Sequence, residues 1–437
     1  MLEHLEAILD RAKRVAQQAE VFAYQHAETP VGFEANRLKM LQTTQMRGVA
    51  LRIIKDGRIG LAATTRWGEI DQLVQAAVET AQFGAEAQFD LPGPTQYPAV
   101  DVYDPAVEAV PVETMVQLGQ SLIDRVRGQV PDANCDGGAE KSTDSVDILN
   151  SLGGEAHYRR SAFSVGLSGV LVRGTNMLHF GDSETACHPL TDVEPLAALS
   201  IRQVELARDE ARVRTGEMPV IFTPHAVSAL LMPLTIAFNG RTVLQGASPL
   251  QGKQGQKLLD EKFTLVDDGT VSFRPSSSIC DDEGVPHRRI PLVEKGVIGE
   301  FLYDLQTAAL MGTTSTGSAG RSLESLPAPS TSTMLIEKGE VALEDLISSL
   351  KEGLVIEFLM GAGQGNVLSG EVSGNVLLGY KIENGQLVGR VKDVVISCNV
   401  YEALRQNVVL TNRPRWMGGS LHTPDICLPS VSVASRA

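Results

Sequence analysis

The sequence lacks the patterns that mark most metal sites and disulfide scaffolds. It has no C-x-x-C, and its five cysteines (Cys135, Cys187, Cys280, Cys398 and Cys427) are odd in number and widely spaced. That excludes a disulfide framework or a zinc knuckle and reads as buried, reduced thiols. There is no H-E-x-x-H. Of the eight histidines (His4, His26, His157, His179, His188, His225, His287, His422), no two lie three to five residues apart, the spacing of helical or finger-type ligands. Long apolar runs are missing too. The most apolar stretch, residues 226–238, is too short to span a bilayer and contains Pro233. Basic tracts are absent, since Lys+Arg number 38 against Asp+Glu 53, and the short spots Arg159-Arg160, Arg288-Arg289 and Arg413-Pro414-Arg415 make no basic stripe. With a net charge of −15 the chain is not expected to bind nucleic acid. The acidic, amphipathic start carries no signal-peptide core, so a cytoplasmic location is expected, with no membrane association.

The 437 residues, 43% apolar, suffice for two domains with sizeable cores. Leu2, Leu5, Ile8, Leu9, Ala12, Val15, Ala16 and Ala19 recur at helical spacing and predict a first helix. Residues 21–65 read as strands, with Asp56-Gly57 as a hairpin turn, and residues 69–83 as a second helix. Five prolines mark residues 91–111 as an extended connector. The order then restarts: a helix over 112–130, strands over 135–180 with a turn at Gly153-Gly154, and a helix over 192–213. Residues 1–90 and 111–215 thus form two helix–strands–helix units. From 216 the texture changes. A short strand, 219–222, leads into a helix with Thr223 as N-cap, Pro224 at its first position and Gly240 as its stop. Beyond residue 263 strands and glycine-rich turns dominate, with one clear helix at 343–350 and a hairpin at Asn384-Gly385. The expected fold class is α+β: an N-terminal α/β domain with antiparallel sheets over 1–215, and a β-rich domain, barrel- or sandwich-like, over 216–437.

Candidate chemistry is sparse. Asp182, Glu184, Cys187 and His188 form the densest set of metal-ligating types, but a solvated loop before Pro189 is the simpler reading. Gly246-Ala-Ser-Pro-Leu-Gln-Gly252-Lys253-Gln254 misses a phosphate loop twice, in glycine spacing and in Gln254 where Ser or Thr would hold magnesium. Gly361-Ala-Gly363-Gln-Gly365-Asn366 lacks the last glycine of a dinucleotide loop and is followed by strand-like sequence. The Ser/Thr/Gly-rich run 312–320 has no nucleophile elbow and reads as a loop, or as backbone lining a peptide cleft. The carboxylate pairs Asp267-Asp268 and Asp281-Asp282-Glu283 sit beside glycines and read as solvated turns.

Three blocks carry a resemblance. Asp281-Asp282-Glu283-Gly284-Val285-Pro286-His287-Arg288-Arg289, then Leu292-Val-Glu294-Lys-Gly296-Val-Ile-Gly-Glu-Phe-Leu-Tyr303-Asp304, then Thr316-Gly317-Ser318-Ala-Gly-Arg321 resemble the signature blocks of the TldD/PmbA family, also described as modulators of DNA gyrase. Asn36-Arg37, Gly48-Val49-Ala50-Leu51-Arg52 and Asp56-Gly57-Arg58-Ile59-Gly60 extend it through the N-terminal half. In that family, TldD-like members hold zinc with H-E-x-x-x-H on the helix after the first strand of the C-terminal domain, together with a distant cysteine. PmbA-like (TldE) members lack the set, and the two kinds pair as a heterodimeric metallopeptidase. Laid on this chain, the histidine positions fall on Met232 and Ala237 and the glutamate on Pro233. Trp416-Met417-Gly418-Gly419-Ser420 occupies the region of the cysteine, and Cys427 lies further on. The resemblance therefore implies a TldE-like, metal-free and non-catalytic chain with no cofactor, and zinc on a TldD-like partner. It also implies a peptide substrate in maturation or degradation. Asp282, Gly284, Arg289, Tyr303, Asp304, Gly317 and Arg321 are the family-motif candidates for a peptide cleft. The alternatives are a homodimeric peptide-binding protein without a peptidase partner, and a self-contained hydrolase using other residues.

Overall fold

The computed structural model describes residues 2–174 and 176–435. One long antiparallel sheet dominates the N-terminal half. Its strands are β1 (Gln18–Glu34), β2 (Arg37–Leu41), β3 (Thr44–Lys55), β4 (Arg58–Thr64), β5 (Asn134–Asn150), β6 (Glu155–Arg173) and β7 (Asn176–Ala186), in the order β4-β3-β1-β5-β6-β7 with β2 also on β1. The two helix–strands–helix units thus share a single sheet. They join where β1 pairs with β5 from Glu20↔Asn150 to Phe33↔Gly137. Asp56 (φ 52°) and Gly57 (φ 74°) turn β3 into β4 as a two-residue hairpin requires.

Helices α1 (Leu2–Ala12) and α2 (Ile70–Ala81) cover the first strands; α3 (Pro105–Ala109), α4 (Val112–Gln129) and α5 (Glu194–Leu206) cover the others. Three expectations shift here. The first helix ends at Ala12, because Gln18 already pairs with Ile54 and Ala19 is buried as a strand residue. The connector contains α3, whose first turn Asp104 caps through Ala106 N at 2.8 Å. The helix expected to reach residue 213 stops at Leu206, since residues 209–211 instead exchange backbone hydrogen bonds with Arg390.

The C-terminal half follows. It opens with β8 (Gly216–Phe222), α6 (Pro224–Phe238) and α7 (Gly240–Leu244). Then come β9 (Leu265–Asp268), β10 (Arg289–Glu294), β11 (Val297–Ile298), α8 (Leu305–Leu310), β12 (Ala319–Gly320), β13 (Ala328–Pro329), β14 (Met334–Ile336) and α9 (Leu343–Ser349). The chain ends with β15 (Glu352–Met360), β16 (Glu371–Glu383), β17 (Gln386–Arg390), β18 (Val394–Asn399), β19 (Val409–Leu410), β20 (Arg415–Met417), β21 (Leu421–Thr423) and β22 (Ile426–Ser435). Pairing runs β15-β8-β22-β18-β16 and closes through β16 back to β15, a five-stranded barrel. A second sheet, β11-β10-β9-β14-β21-β20, lies alongside. The fold is α+β with a barrel-like C-terminal half. No helix among the described residues is long and apolar enough to cross a membrane.

Helix α6 is apolar on nearly every face, as a helix enclosed by other elements must be. It touches barrel strands β8, β15 and β16 on one side and β20 and β21 on another. Thr223 sits at its N-cap but does not cap it; the hydroxyl donates to Glu357 Oε2 at 3.1 Å. Gly240 is not the stop either. Asn239 ends α6 and caps α7 through Arg241 N, while Gly240 allows close approach: a Cβ there would overlap the Tyr303 ring and the Leu302 carbonyl.

Candidate functional site

The alternation of β1, β3, β5 and β6 puts one row of side chains on the sheet face opposite α1 and α2. Near one end Glu20 and Arg52 face each other as direct cross-strand partners. Then come Phe22, Ala50, Val146, Ile148 and Ala156 as an apolar floor against Cys280. Beyond them stand Tyr24, Tyr158, Asp144, Arg160 and His26. The motif blocks from the C-terminal half fold down onto this face.

The Asp281-Asp282-Glu283 segment is buried, contrary to the expected solvated turn. Asp281 accepts three backbone N–H groups, from Glu283 (2.9 Å), Val285 (2.9 Å) and Ala319 (2.9 Å). Asp282 accepts from Arg321 N at 2.9 Å. Glu283 receives Arg52 Nη1 at 2.5 Å and Leu305 N at 2.7 Å. Glu20 completes the chain, taking Arg52 Nη2 at 2.7 Å and Arg321 Nη1 at 2.7 Å. All four side chains of this ion-pair chain are 0–3% exposed. Asp267-Asp268 is also buried, on strand β9, where Ser332 N (2.7 Å) and Oγ (3.0 Å) donate to Asp267. In both cases neighbouring N–H and guanidinium donors replace the water that a turn would have supplied.

The candidate motif residues therefore divide. Asp282, Gly284, Gly317 and Arg321 meet at the junction with the N-terminal sheet. Gly284 (φ 75°) offers its carbonyl to the Tyr97 hydroxyl at 3.1 Å, and Gly317 (φ 70°) packs against the Pro286 carbonyl, where a Cβ would collide. Asp304 caps α8 through Thr307 N at 2.8 Å, and Tyr303 N donates to Thr316 Oγ1 at 2.7 Å, so both act one layer back. Arg289 stands apart on β10, half exposed, 3.7 Å from Asp268 and 3.6 Å from Glu337.

What the blocks leave uncovered is a groove. One recess of about 450 Å³ is lined by Phe22, Tyr24, Tyr158, Arg160, Asp282 and Arg321. A neighbouring one of about 580 Å³, lined by His26, Asp144, Arg47 and Arg159, shares Met46 with it. Asp144 anchors the polar wall. It takes the Tyr24 hydroxyl (2.7 Å), His26 Nδ1 (2.7 Å) and Arg160 through Nε (3.0 Å) and Nη2 (2.8 Å). Burial pushes the Asp144 carboxyl up, but Arg160 and the bonds from His26 and Tyr24 outweigh it and hold it low. Burial disfavours charge on His26, yet the bonds to Asp144 and Glu28 leave its value raised. Burial and Asp144 together hold the Tyr24 phenol protonated, and burial raises Tyr158 well above its ordinary value. The Nε and Nη2 of Arg321 are buried without a partner among the described residues. The groove thus offers hydrogen-bond donors and aromatic surface, with no depressed-pKa nucleophile. Sequence reading missed Tyr24, His26, Asp144, Tyr158 and Arg160. Their signal was period-two placement of polar and aromatic residues along three long strands, β1, β5 and β6.

The degenerate metal positions lie elsewhere, on α6. Met232 is partly exposed, with its sulfur beside Gly363, while Pro233 and Ala237 are buried. The helix runs unbroken through Pro233, whose carbonyl accepts the Tyr401 hydroxyl at 3.1 Å. Strands β20 and β21, flanking the Gly418-Gly419 turn, pack beside it. A thioether, a pyrrolidine ring and a methyl offer no carboxylate or imidazole, so this donor set does not fit zinc. The Asp182–His188 segment is strand β7 as far as Ala186 rather than a loop. Asp182 pairs with Arg415 and lies 2.9 Å from His225 Nε2, Cys187 is buried with its thiol pushed up to about 12, and His188 meets the Phe273 edge. No three His, Cys, Asp or Glu side chains converge as a metal site among the described residues.

The family model for the PmbA/TldA metallopeptidase C-terminal domain matches residues 215–435, and that for domain 1 matches residues 19–81. The chain belongs to the PmbA/TldD family. An uncharacterised Methanocaldococcus jannaschii protein is 25% identical over 414 residues, covering 93% of this chain and 95% of the relative. The Escherichia coli O157:H7 metalloprotease PmbA is 22% identical, covering 99% and 96%. The solved structure of TldE from Thermococcus kodakarensis superposes with a TM-score of 0.92 at 26% identity, over 99% of this chain and 100% of that one.

Proposed function

We propose that this PmbA/TldD-family chain is the non-catalytic, metal-free subunit of a TldD/TldE-type heterodimeric metallopeptidase acting in cytoplasmic peptide maturation or degradation. The observation that carries the reading is the set Met232, Pro233 and Ala237 on α6. Without two imidazoles and a carboxylate there, the chain has no means of activating water by the family's chemistry. The zinc belongs to a TldD-like partner, and this chain contributes shape and donors. The groove at Tyr158, Arg160, Asp282 and Arg321 supplies a place for a peptide. Its aromatic rings and the part-exposed Arg160 guanidinium suit a peptide backbone.

A second reading, a homodimeric peptide-binding protein without a peptidase partner, draws on the same groove, because it is complete within one chain. The self-contained hydrolase finds no support there, since the Tyr24 and Tyr158 phenols that line the groove are held protonated.

The deciding experiment assays peptide cleavage by this chain, by a TldD-like chain and by the mixture, with zinc counted by elemental analysis. The subunit reading expects no stoichiometric zinc in this chain and chelator-sensitive cleavage only in the mixture. Chelator-insensitive cleavage by this chain alone overturns it. Equal cleavage by the partner with and without this chain refutes the partnership.

A further inference from the structure

Residues 37–47 form an arm at the edge of the N-terminal sheet. All eleven are exposed, and Leu38 (44%), Met40 (45%), Leu41 (54%) and Met46 (40%) hold large apolar surface in water. The backbone is open as well. Among the described residues β2 pairs with β1 alone, and residues 44–48 of β3 pair only with β1, because β4 ends opposite Val49. A long apolar strand edge left uncovered is a template for another chain. The arm also carries Arg37, Lys39 and Arg47 and no acid. The whole chain has a net charge of −15, so removing those three positive charges leaves −18 on the rest. Arg47 lies over the Trp67 ring, while Arg37 and Lys39 make no ion pair among the described residues.

The complement lies on the same side of the sheet. The pairs His26↔Met46 and Gly32↔Met40 put both methionines on the side that carries the groove. Past His26 on that side, β1 presents Glu28 and Glu34, and β5 presents Glu140 and Asp136. The matching positions on these two strands, and on the neighbouring β6 and β7, hold no Lys or Arg. Glu34, Asp136 and Glu140 are exposed. Gly32, Gly138 and Gly166 stand directly opposite one another and leave the surface between the acids smooth. Partial burial pushes the Glu140 carboxyl up, and Glu28 adds to this against the pull of His26, a crowding that an incoming cation relieves.

We propose that this side of the sheet is a contact surface between two copies of the chain, with the basic, apolar arm of each laid across the acidic end of the other's sheet. Strand β2 is hydrogen-bonded into its own sheet and cannot fold over it, so the arm meets such a face only on a second copy. A twofold axis makes the contact reciprocal. Each copy then gives an arm and receives one, which brings roughly 20 residues a side together, the size of a stable interface. The inference concerns the chain without a metal-bearing partner. Self-association and peptide cleavage are read by separate assays, so the failure of one leaves the other standing.

The test is sedimentation equilibrium of the full-length chain over about 1–100 μM, repeated between about 0.05 and 0.5 M salt. The variants are Met40→Glu and Lys39→Glu on the arm and Glu140→Lys on the face, each checked by circular dichroism. All three positions are exposed, so their replacement leaves the core intact. The expected result is a dimer that weakens as salt rises. Each variant should raise the dissociation constant by about tenfold or more. An equimolar mixture of Lys39→Glu and Glu140→Lys should recover the parent's affinity, because in the mixed pair one contact is native and the other has its two charges exchanged. A chain that stays monomeric at about 100 μM overturns the proposal and leaves the arm to a different partner. A dimer indifferent to salt, an unchanged constant in the well-folded Met40→Glu variant, or a mixture no tighter than either variant alone overturns it too.

Discussion

Replacing Arg52 with methionine should destabilise the protein far more than a surface arginine would. Arg52 is 3% exposed and bridges two fully buried glutamates, Glu20 at 2.7 Å and Glu283 at 2.5 Å. Glu20 keeps a second partner, Arg321, at 2.7 Å. Among the described residues Glu283 keeps only the Leu305 N–H, so it carries most of the loss. Burial pushes the Glu283 carboxyl up, and Arg52 is the largest influence pulling it back. Breaking one side of such a buried pair costs about 3–5 kcal/mol. At roughly 2–4 °C per kcal/mol for a domain of 150–250 residues, the melting temperature should fall by about 6–20 °C. The Arg52→Met/Glu283→Gln double variant leaves the Glu20–Arg321 pair and removes the uncompensated charge. It should recover part of the loss, by about 1–3 kcal/mol of coupling. Urea and thermal unfolding followed by circular dichroism measure both. A single variant within about 1 kcal/mol of the parent, or a double variant no more stable than the single, would refute the buried-chain argument.

Asp267 gives a pH dependence. Burial, helped by adjacent Asp268, lifts its folded value to about 7 against bonds from Ser332, while an unfolded aspartate titrates near ~3.9. Its contribution is present below about pH 4 and lost as pH rises through 7. Asp267→Asn should therefore flatten the fall in melting temperature between pH 5 and 8, and an unchanged slope would contradict this. Gly240→Ala should cost about 1–3 kcal/mol by overpacking against Tyr303 and Leu302, read by urea unfolding. In the mixed cleavage assay, Tyr158→Leu in the groove should raise KM about tenfold, ~1.4 kcal/mol, with kcat and co-elution of the two chains retained; an unchanged KM would remove the groove from substrate seating.

Local signals were readable where one rule acted alone. Asp56-Gly57 and Asn384-Gly385 turned where the left-handed region demands such residues, and Pro224 opened α6. Legibility failed where long-range partners decided the outcome. Ala19 continues the helical spacing of α1, yet pairing across to Ile53 makes it a strand residue. Thr223 and Gly240 match helix-cap chemistry, but Glu357 and Tyr303 claim them for other contacts.

The acidic run at 281–283 shows the same limit in the site itself. Beside Gly284 it has the composition of a solvated turn, and only its partners reverse that reading. Those partners lie elsewhere in the chain: Arg52 is 231 residues before Glu283, and Arg321 is 39 residues after Asp282. Arg321 answers two demands at once. Its Nη1 closes the ion-pair chain on Glu20, while its backbone N–H holds Asp282 at the lining of the groove. Loss of Arg321 would therefore loosen the junction between the two halves as well as alter the groove. Weakened cleavage in an Arg321 variant cannot by itself assign that residue to the substrate. Tyr158 lies outside the ion-pair chain and separates the two effects, because its replacement alters the groove while leaving Glu20, Arg52, Glu283 and Arg321 paired.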